Sequence, residues 1–216
     1  MKPVLTLDSR SMNLYVRFGL LAAIAACARE QPAPPATYSG MMLTPPRGKP
    51  DFAFTSTTGA PYQFRKETDG RLTLLFFGYT YCPDVCPMHM ANIASVLKKL
   101  SYADRQRVKV VFVTTDPERD TPERLRSWLA QIDPSFVGVA GPMDQINALQ
   151  QSLGLAPAKI EQTTDSSRQP SYGVAHSAVV LAFTPDDSLR VLYPFGVRQQ
   201  DWARDIPLLL RVKARG

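Results

Sequence analysis

The chain has 216 residues, 44% of them hydrophobic and 20% charged, with a formal net charge of +6, three cysteines and two histidines. That apolar fraction excludes disorder throughout, three cysteines are too sparse for a disulfide-stapled miniprotein, and the length suits one compact domain with some chain left over. The basic surplus contains no Lys/Arg block longer than Lys98-Lys99, so it does not argue for a nucleic-acid partner.

Phe18 to Ala26 is an uninterrupted apolar run, FGLLAAIAA, preceded by Arg10 and Arg17. It is shorter than the ~20 residues that a spanning helix needs. A short apolar run behind positive charge and ending in small residues reads as a secretory signal. Ile24-Ala25-Ala26-Cys27 resembles the bacterial lipoprotein box, in which the cysteine is lipidated and becomes the mature N-terminus. Residues 1–26 are therefore read as a lipoprotein-type signal peptide and Cys27 as the lipidation site. Ordinary cleavage, or an uncleaved short anchor with Cys27 as a free thiol, is the alternative. Met12 is a second candidate start, because it gives a more ordinary charged segment before the apolar run. Six prolines follow between residues 28 and 50, so residues 27–50 read as an extended tether. Losing residues 1–26 removes Lys2, Arg10, Arg17 and Asp8, and lowers the net charge from +6 to +4. The folded part, residues 51–212, is then expected in the bacterial cell envelope, anchored to the membrane and facing the periplasm.

Phe52-Ala53-Phe54 and Tyr62-Gln63-Phe64 alternate around a Thr-Thr-Gly-Ala-Pro turn, which predicts an N-terminal hairpin. Leu72 to Phe77 is a strand buried on both faces. After the segment Tyr79 to Pro87, the spacing of Met90, Ile93, Ala94 and Leu97 predicts a helix. Val108 to Val113 is a second buried strand. Thr121 caps a helix with Pro122 in its first position. Phe136 to Ala140 is a short strand, and a helix runs from Pro142 to Gly154. Residues 155–171 are polar and carry no period, which predicts a long irregular loop. Ser177 to Phe183 and Leu189 to Phe195 are strands around a Thr-Pro-Asp-Asp turn, and Trp202 to Arg211 is a closing helix despite Pro207. This order is α/β with a mixed central sheet flanked by helices, a thioredoxin-like three-layer layout.

Cys82 and Cys86 flank three residues between a buried strand and a helix start. Sheet ends of this kind hold functional sites, and a helix N-terminus favours thiolate over thiol. The pair can close a disulfide or chelate a soft metal ion. A structural disulfide around so small a loop constrains the unfolded chain weakly, so a redox or metal role is the better reading. A two-thiolate metal site needs a third ligand. His176 lies between the irregular loop and a strand, at a sheet end, and is that candidate. His89, three residues after Cys86, reads as an exposed first-turn residue with a ligand or metal-entry role as the alternative. Met88 and Met90 are read as core packing, with soft-sulfur assistance to metal transfer as the alternative.

Three blocks carry a resemblance. Phe77-Gly78-Tyr79-Thr80-Tyr81-Cys82-Pro83-Asp84-Val85-Cys86-Pro87, Thr115-Asp116-Pro117-Glu118-Arg119-Asp120-Thr121-Pro122 and Val174-Ala175-His176-Ser177 resemble the Sco/SenC family of thioredoxin-fold copper chaperones for cytochrome c oxidase. The resemblance implies copper bound by Cys82, Cys86 and His176. It also implies delivery to, or reduction of, the dinuclear copper A site of oxidase subunit II, with other periplasmic copper chaperones as further candidate partners. Ala175 departs from the pattern, since many members carry Asp before the histidine. The Asp116–Asp120 segment is read as orienting the site loop or as docking, with a plain turn and helix cap as the alternative. Two thiolates and an imidazole suit Cu(I) and Cu(II), and three ligands leave an open edge for transfer. Zinc would accept the same donors plus water, but the affinity order favours copper.

Two further functions follow from the residues. A thiol-disulfide oxidoreductase would use only Cys82 and Cys86, one attacking and the other resolving. A peroxidase-like relative would need an arginine beside its reactive cysteine, and none adjoins the pair along the chain.

Overall fold

Two apolar segments make the centre of the sheet because each is buried on both faces. In the computed structural model, which describes residues 37–162 and 172–214, these are β4 (Leu72–Gly78) and β5 (Val108–Thr114). They pair in parallel from Leu72 opposite Val108 to Gly78 opposite Thr114. Alternate residues point to opposite faces. Leu72, Leu74, Phe76, Val110 and Phe112 join one apolar cluster, and Leu75, Phe77, Val111 and Val113 join the other.

The remaining strands extend this pair to both sides. In chain order they are β1 (Met41–Gly48), β2 (Ala53–Ser56), β3 (Pro61–Gln63), β6 (Val137–Ala140), β7 (Lys159–Gln162), β8 (Tyr172–Ala175), β9 (Val179–Thr184) and β10 (Ser188–Pro194). The main sheet has the order β1-β10-β9-β4-β5-β6-β2-β3, and β7 with β8 forms a separate two-stranded sheet. β4, β5 and β6 are parallel, and the other pairings are antiparallel. Helices α1 (Phe64–Glu67), α2 (Val85–Leu97), α3 (Tyr102–Gln106), α4 (Pro122–Ile132), α5 (Met143–Ser152) and α6 (Gln199–Leu210) complete the described chain. Apolar residues of α2, α4 and α6 lie in the first cluster and those of α1 and α5 in the second. The sheet is therefore the middle of three layers, as expected for the thioredoxin-like α/β layout.

Local signals explain the helix ends. Thr121 accepts a hydrogen bond from the Arg124 N–H at 3.3 Å, and Pro122 occupies the first turn, where its missing donor costs nothing. Gly154 adopts φ +78° after α5, a conformation that glycine takes without steric cost. Pro207 lies inside α6 without ending it.

Two expectations change. Part of the predicted irregular loop is ordered: Lys159–Gln162 pairs in register with Tyr172–Ala175 as β7 and β8. Each strand is only four residues long, too short to carry a periodic signal of its own. Residues 155–158 lead into β7 without regular structure, and residues 163–171 lie outside the described residues. The stretch expected to be tether enters the sheet at Met41, where β1 pairs with β10. Pro45 and Pro46 fall where the register shifts between Met42 and Arg47, and an edge strand tolerates proline at such an irregularity. The segment read as a signal peptide, residues 1–26, and Cys27 lie outside the described residues.

A buried ion pair fixes the end of β1. The Lys49 side chain is fully buried, with Nζ 2.7 Å from Asp187 Oδ1, and it donates to the Thr68 carbonyl at 2.9 Å. Burial lowers the Lys49 pKa, and the Asp187 carboxylate opposes that shift. Asp187→Ala leaves this ammonium buried without its counter-charge and is expected to cost about 3 kcal/mol of unfolding free energy. Denaturant unfolding followed by circular dichroism measures it, and an unchanged midpoint would refute the role of the pair.

Candidate metal centre

The parallel register of β4 and β5 brings two loops together at one end of the sheet. The first loop, after Gly78, carries the cysteines, and the second carries Asp116 to Asp120. Asp120 is 1% exposed and joins them. Its carboxylate accepts from the Thr80 N–H at 3.0 Å, from the Thr80 hydroxyl at 2.5 Å and from the Thr114 hydroxyl at 2.6 Å. Burial pushes its pKa up, and these donors oppose the shift. Arg124 Nε donates to the Thr80 hydroxyl at 2.7 Å, and the Thr115 N–H donates to the Gly78 carbonyl at 2.7 Å. Gly78 must lack a side chain: a Cβ there would lie 2.8 Å from Cys86 Sγ and 2.7 Å from Phe76.

Within the first loop the cysteines occupy unlike settings. Cys82 is half-buried just before α2, and its Sγ accepts from the Cys86 N–H at 3.4 Å. Cys86 lies in the first turn of α2 and is fully buried. Both are free thiols here. The Cys86 S–H donating to it, helped by His176, holds the Cys82 pKa down to about 4 against the opposing effect of burial. Burial pushes the Cys86 thiol well up, and the Cys82 thiolate beside it adds to this. These opposite shifts favour a thiolate at Cys82 beside a protonated thiol at Cys86.

His176 follows β8 and completes the group. Its Nε2 is 3.5 Å from Cys86 Sγ, and its Nδ1 is 3.3 Å from the Ser177 carbonyl oxygen. A proton on Nδ1, donated to that carbonyl, frees the Nε2 lone pair for a metal ion, whereas the hydrogen bond to the Cys82 thiolate in the metal-free site uses the proton on Nε2. Tyr79 and Phe76 meet the imidazole edge to face, at centroid distances of 5.7 and 5.9 Å. The donor atoms of Cys82, Cys86 and His176 all lie within 4.8 Å of one another. Three donors spread around a single ion at 2.0–2.3 Å stand roughly 3.5–4.0 Å apart, so an inward adjustment of up to about 1 Å in the widest pair closes the three on one metal.

The structure therefore brings together all three predicted donors, across 90 residues of chain. It separates the other candidates. His89 is 3% exposed, not an exposed first-turn residue. Its Nε2 is 3.3 Å from the Ala178 carbonyl oxygen, its ring packs on Phe76, and burial lowers its pKa. Met90 is core, as expected, but Met88 is 48% exposed. The Asp116–Asp120 segment orients the site loop through Asp120, and Thr121 caps α4, so the loop-orienting reading and the helix-cap reading both apply. Two arginines missed along the chain arrive in space: Arg124 and Arg119 stand 3.7 and 4.9 Å from the ring centroid of Tyr81, the neighbour of Cys82. Their sequence distance from the cysteines hid them.

Comparison with known proteins gives consistent findings. The sequence model of the SCO1/SenC family matches residues 41–211, from the first residue of β1 to just past α6. A protein of Stutzerimonas stutzeri, whose name includes the words copper-binding protein, is 31% identical over 189 residues, 87% of this chain and 88% of its own length. The apo Sco1 protein of Thermus thermophilus, solved in solution, is 31% identical with a TM-score of 0.69, covering 81% of this chain and 98% of that one. Bradyrhizobium japonicum ScoI, solved with copper bound, is 30% identical with a TM-score of 0.64, covering 75% of this chain and 99% of that one.

The unlike thiols have a direct readout. In metal-free Cys27→Ser protein, alkylation of Cys82 by iodoacetamide is expected to stay nearly constant as the pH falls and to drop only as it passes through about 4. A rate that declines tenfold per unit below about 8.5, as for an ordinary thiol, would refute the thiolate assignment.

Proposed function

This chain belongs to the SCO1/SenC family, and from that membership and the Cys82–Cys86–His176 cluster we propose that it is a copper carrier that binds one copper ion through two sulfurs and one imidazole nitrogen. The observation that carries the reading is the convergence of these donors within 4.8 Å. Thiolate sulfur selects Cu(I), and adding imidazole accommodates Cu(II) as well. Cys82 offers a ready thiolate, whereas Cys86 gives up its proton on binding, so uptake releases a proton. Cys82 and His176 are only half-buried, which gives an acceptor's ligands a side from which to attack as the carrier's own let go.

The recipient in this reading is the dinuclear copper A site of cytochrome c oxidase subunit II, the one that the family resemblance implies. Cys27 carries the lipid anchor that holds the domain to the membrane on its periplasmic side. The apolar run ending at the Ile24-Ala25-Ala26-Cys27 box supports that placement.

A second activity is favoured by the free, unlike cysteine pair. A Cys82 thiolate attacks a target disulfide, one target sulfur leaves as a thiolate, and Cys86 then resolves the mixed disulfide. The target gains two electrons from the pair, one proton from Cys86 and a second from solvent, and the Cys82–Cys86 pair becomes the disulfide. This reaction needs the reduced dithiol, as copper uptake does, but has no need of His176.

Anaerobic Cu(I) titration of the reduced protein against a competing chelator is expected to give one copper per chain. His176→Ala is expected to weaken binding by at least about a hundredfold, with the fold and any disulfide-reducing activity retained. Undiminished affinity in that variant would remove the imidazole from the site. Cys27→Ser is expected to move the chain from the membrane fraction to the soluble one. A variant that stays membrane-bound would refute the lipid anchor.

A further inference from the structure

The strand that delivers the third donor is not part of the main sheet. β8 ends at Ala175, one residue before His176, and pairs with β7 in the separate two-stranded sheet. The cysteine loop, by contrast, grows directly out of β4. Something must fix the small sheet against the large one for the imidazole to reach the sulfurs.

Asp116 and Arg119 make that connection. Asp116 is 4% exposed and the Arg119 side chain 11%, and the two form an ion pair. Both then reach Tyr172, the first residue of β8. Arg119 Nη1 donates to the Tyr172 carbonyl at 3.0 Å, and the Tyr172 hydroxyl donates to Asp116 Oδ1 at 3.1 Å. The guanidinium carbon is 3.5 Å from the centroid of the Tyr172 ring, 4.9 Å from that of Tyr81 and 5.8 Å from that of Tyr79. Arg119 Nη2 is buried with no hydrogen-bond acceptor among the described residues, so the tyrosine rings supply its stabilisation. One cation therefore joins a tyrosine of the histidine strand to two tyrosines of the cysteine loop. Tyr79 in turn packs on His176 itself.

We propose that Asp116 and Arg119 are positioning residues for the third copper donor: they hold β8 so that His176 meets Cys82 and Cys86. This rests on the copper reading above. A purely structural role would act elsewhere. The cysteine loop keeps its own anchor at Asp120, and neither Asp116 nor Arg119 belongs to either apolar cluster. The planar fork and the ring stacking are properties of Arg that Lys lacks, so charge alone does not do this work.

The test is a double-mutant cycle on full-length protein, read as Cu(I) affinity under a competing chelator. Arg119→Ala is expected to weaken binding by about tenfold, within the 10–100-fold range for groups that orient a metal ligand. Arg119→Lys is expected to lose most of the same factor. In a His176→Ala background both substitutions are expected to change affinity by less than about twofold, because residues that act through one another do not add. The Cu(II)-loaded Arg119 variants are expected to show a diminished nitrogen hyperfine signal by electron paramagnetic resonance, with both cysteines still titrating as free thiols before loading. If Arg119→Ala does not fold, Arg119→Lys carries the test alone. Wild-type affinity in the Arg119 variants, or an equal loss with and without His176, would overturn the positioning role while leaving the copper reading intact. Unchanged affinity in His176→Ala alone would overturn the three-donor reading, and this inference with it.

Discussion

The pairing of Gly78 with Thr114 at the end of β4 and β5 is the constraint on which the site depends. Parallel strands place both following loops at the same sheet end, so a single buried carboxylate can serve them both. Asp120, itself on the second loop, does so by accepting from Thr80 on the first loop and from Thr114 at the end of β5. A buried carboxylate is costly unless its lone pairs are filled. Here three donors fill them, and the cysteine loop is held to the rigid centre of the fold. Gly78 completes this constraint, because the close approach of Cys86 Sγ leaves no room for a Cβ.

From that anchoring follow the different characters of the two cysteines. Cys86 lies in the first turn of α2 under the sheet end, and burial keeps its proton on. Cys82 lies just outside the helix, where the Cys86 thiol and backbone N–H both point at its sulfur. The same five-residue stretch thus gives a ready thiolate beside a thiol that yields its proton only to a stronger partner. A metal ion and an incoming disulfide are both such partners, so one dithiol suits both of the proposed chemistries.

Much of this was legible along the chain. The apolar runs of β4 and β5 announced a doubly covered sheet, since strands buried on both faces need no alternation. Thr121-Pro122 and Gly154 marked helix ends by local stereochemistry, and the cysteine spacing located the site. What was not legible depended on partners distant in sequence. β1 carries two prolines and is exposed along most of its length, so its place in the sheet comes from β10 and from the Lys49–Asp187 pair. β7 and β8 are four residues each and exist only as a pair. His89 reads as a polar helix residue until Phe76, Phe195 and the Ala178 carbonyl enclose it. Arg119 and Arg124 are far from Cys82 in sequence and reach its neighbour Tyr81 only through the fold.

The anchoring of the two halves of the site is unequal, and this bears on transfer. The sulfur half is tied to the main sheet through backbone pairing and Asp120. The imidazole half sits on a two-stranded sheet, a unit that is marginal by itself in water. Buried Val174 and the Tyr172 contacts supply what the missing neighbouring strands would otherwise provide. An ion held by such a site loses its nitrogen ligand at smaller structural cost than either sulfur. In the carrier proposed above, exchange with an acceptor is therefore expected to begin on the imidazole side, with the two sulfurs retaining the ion until the acceptor's own ligands have engaged.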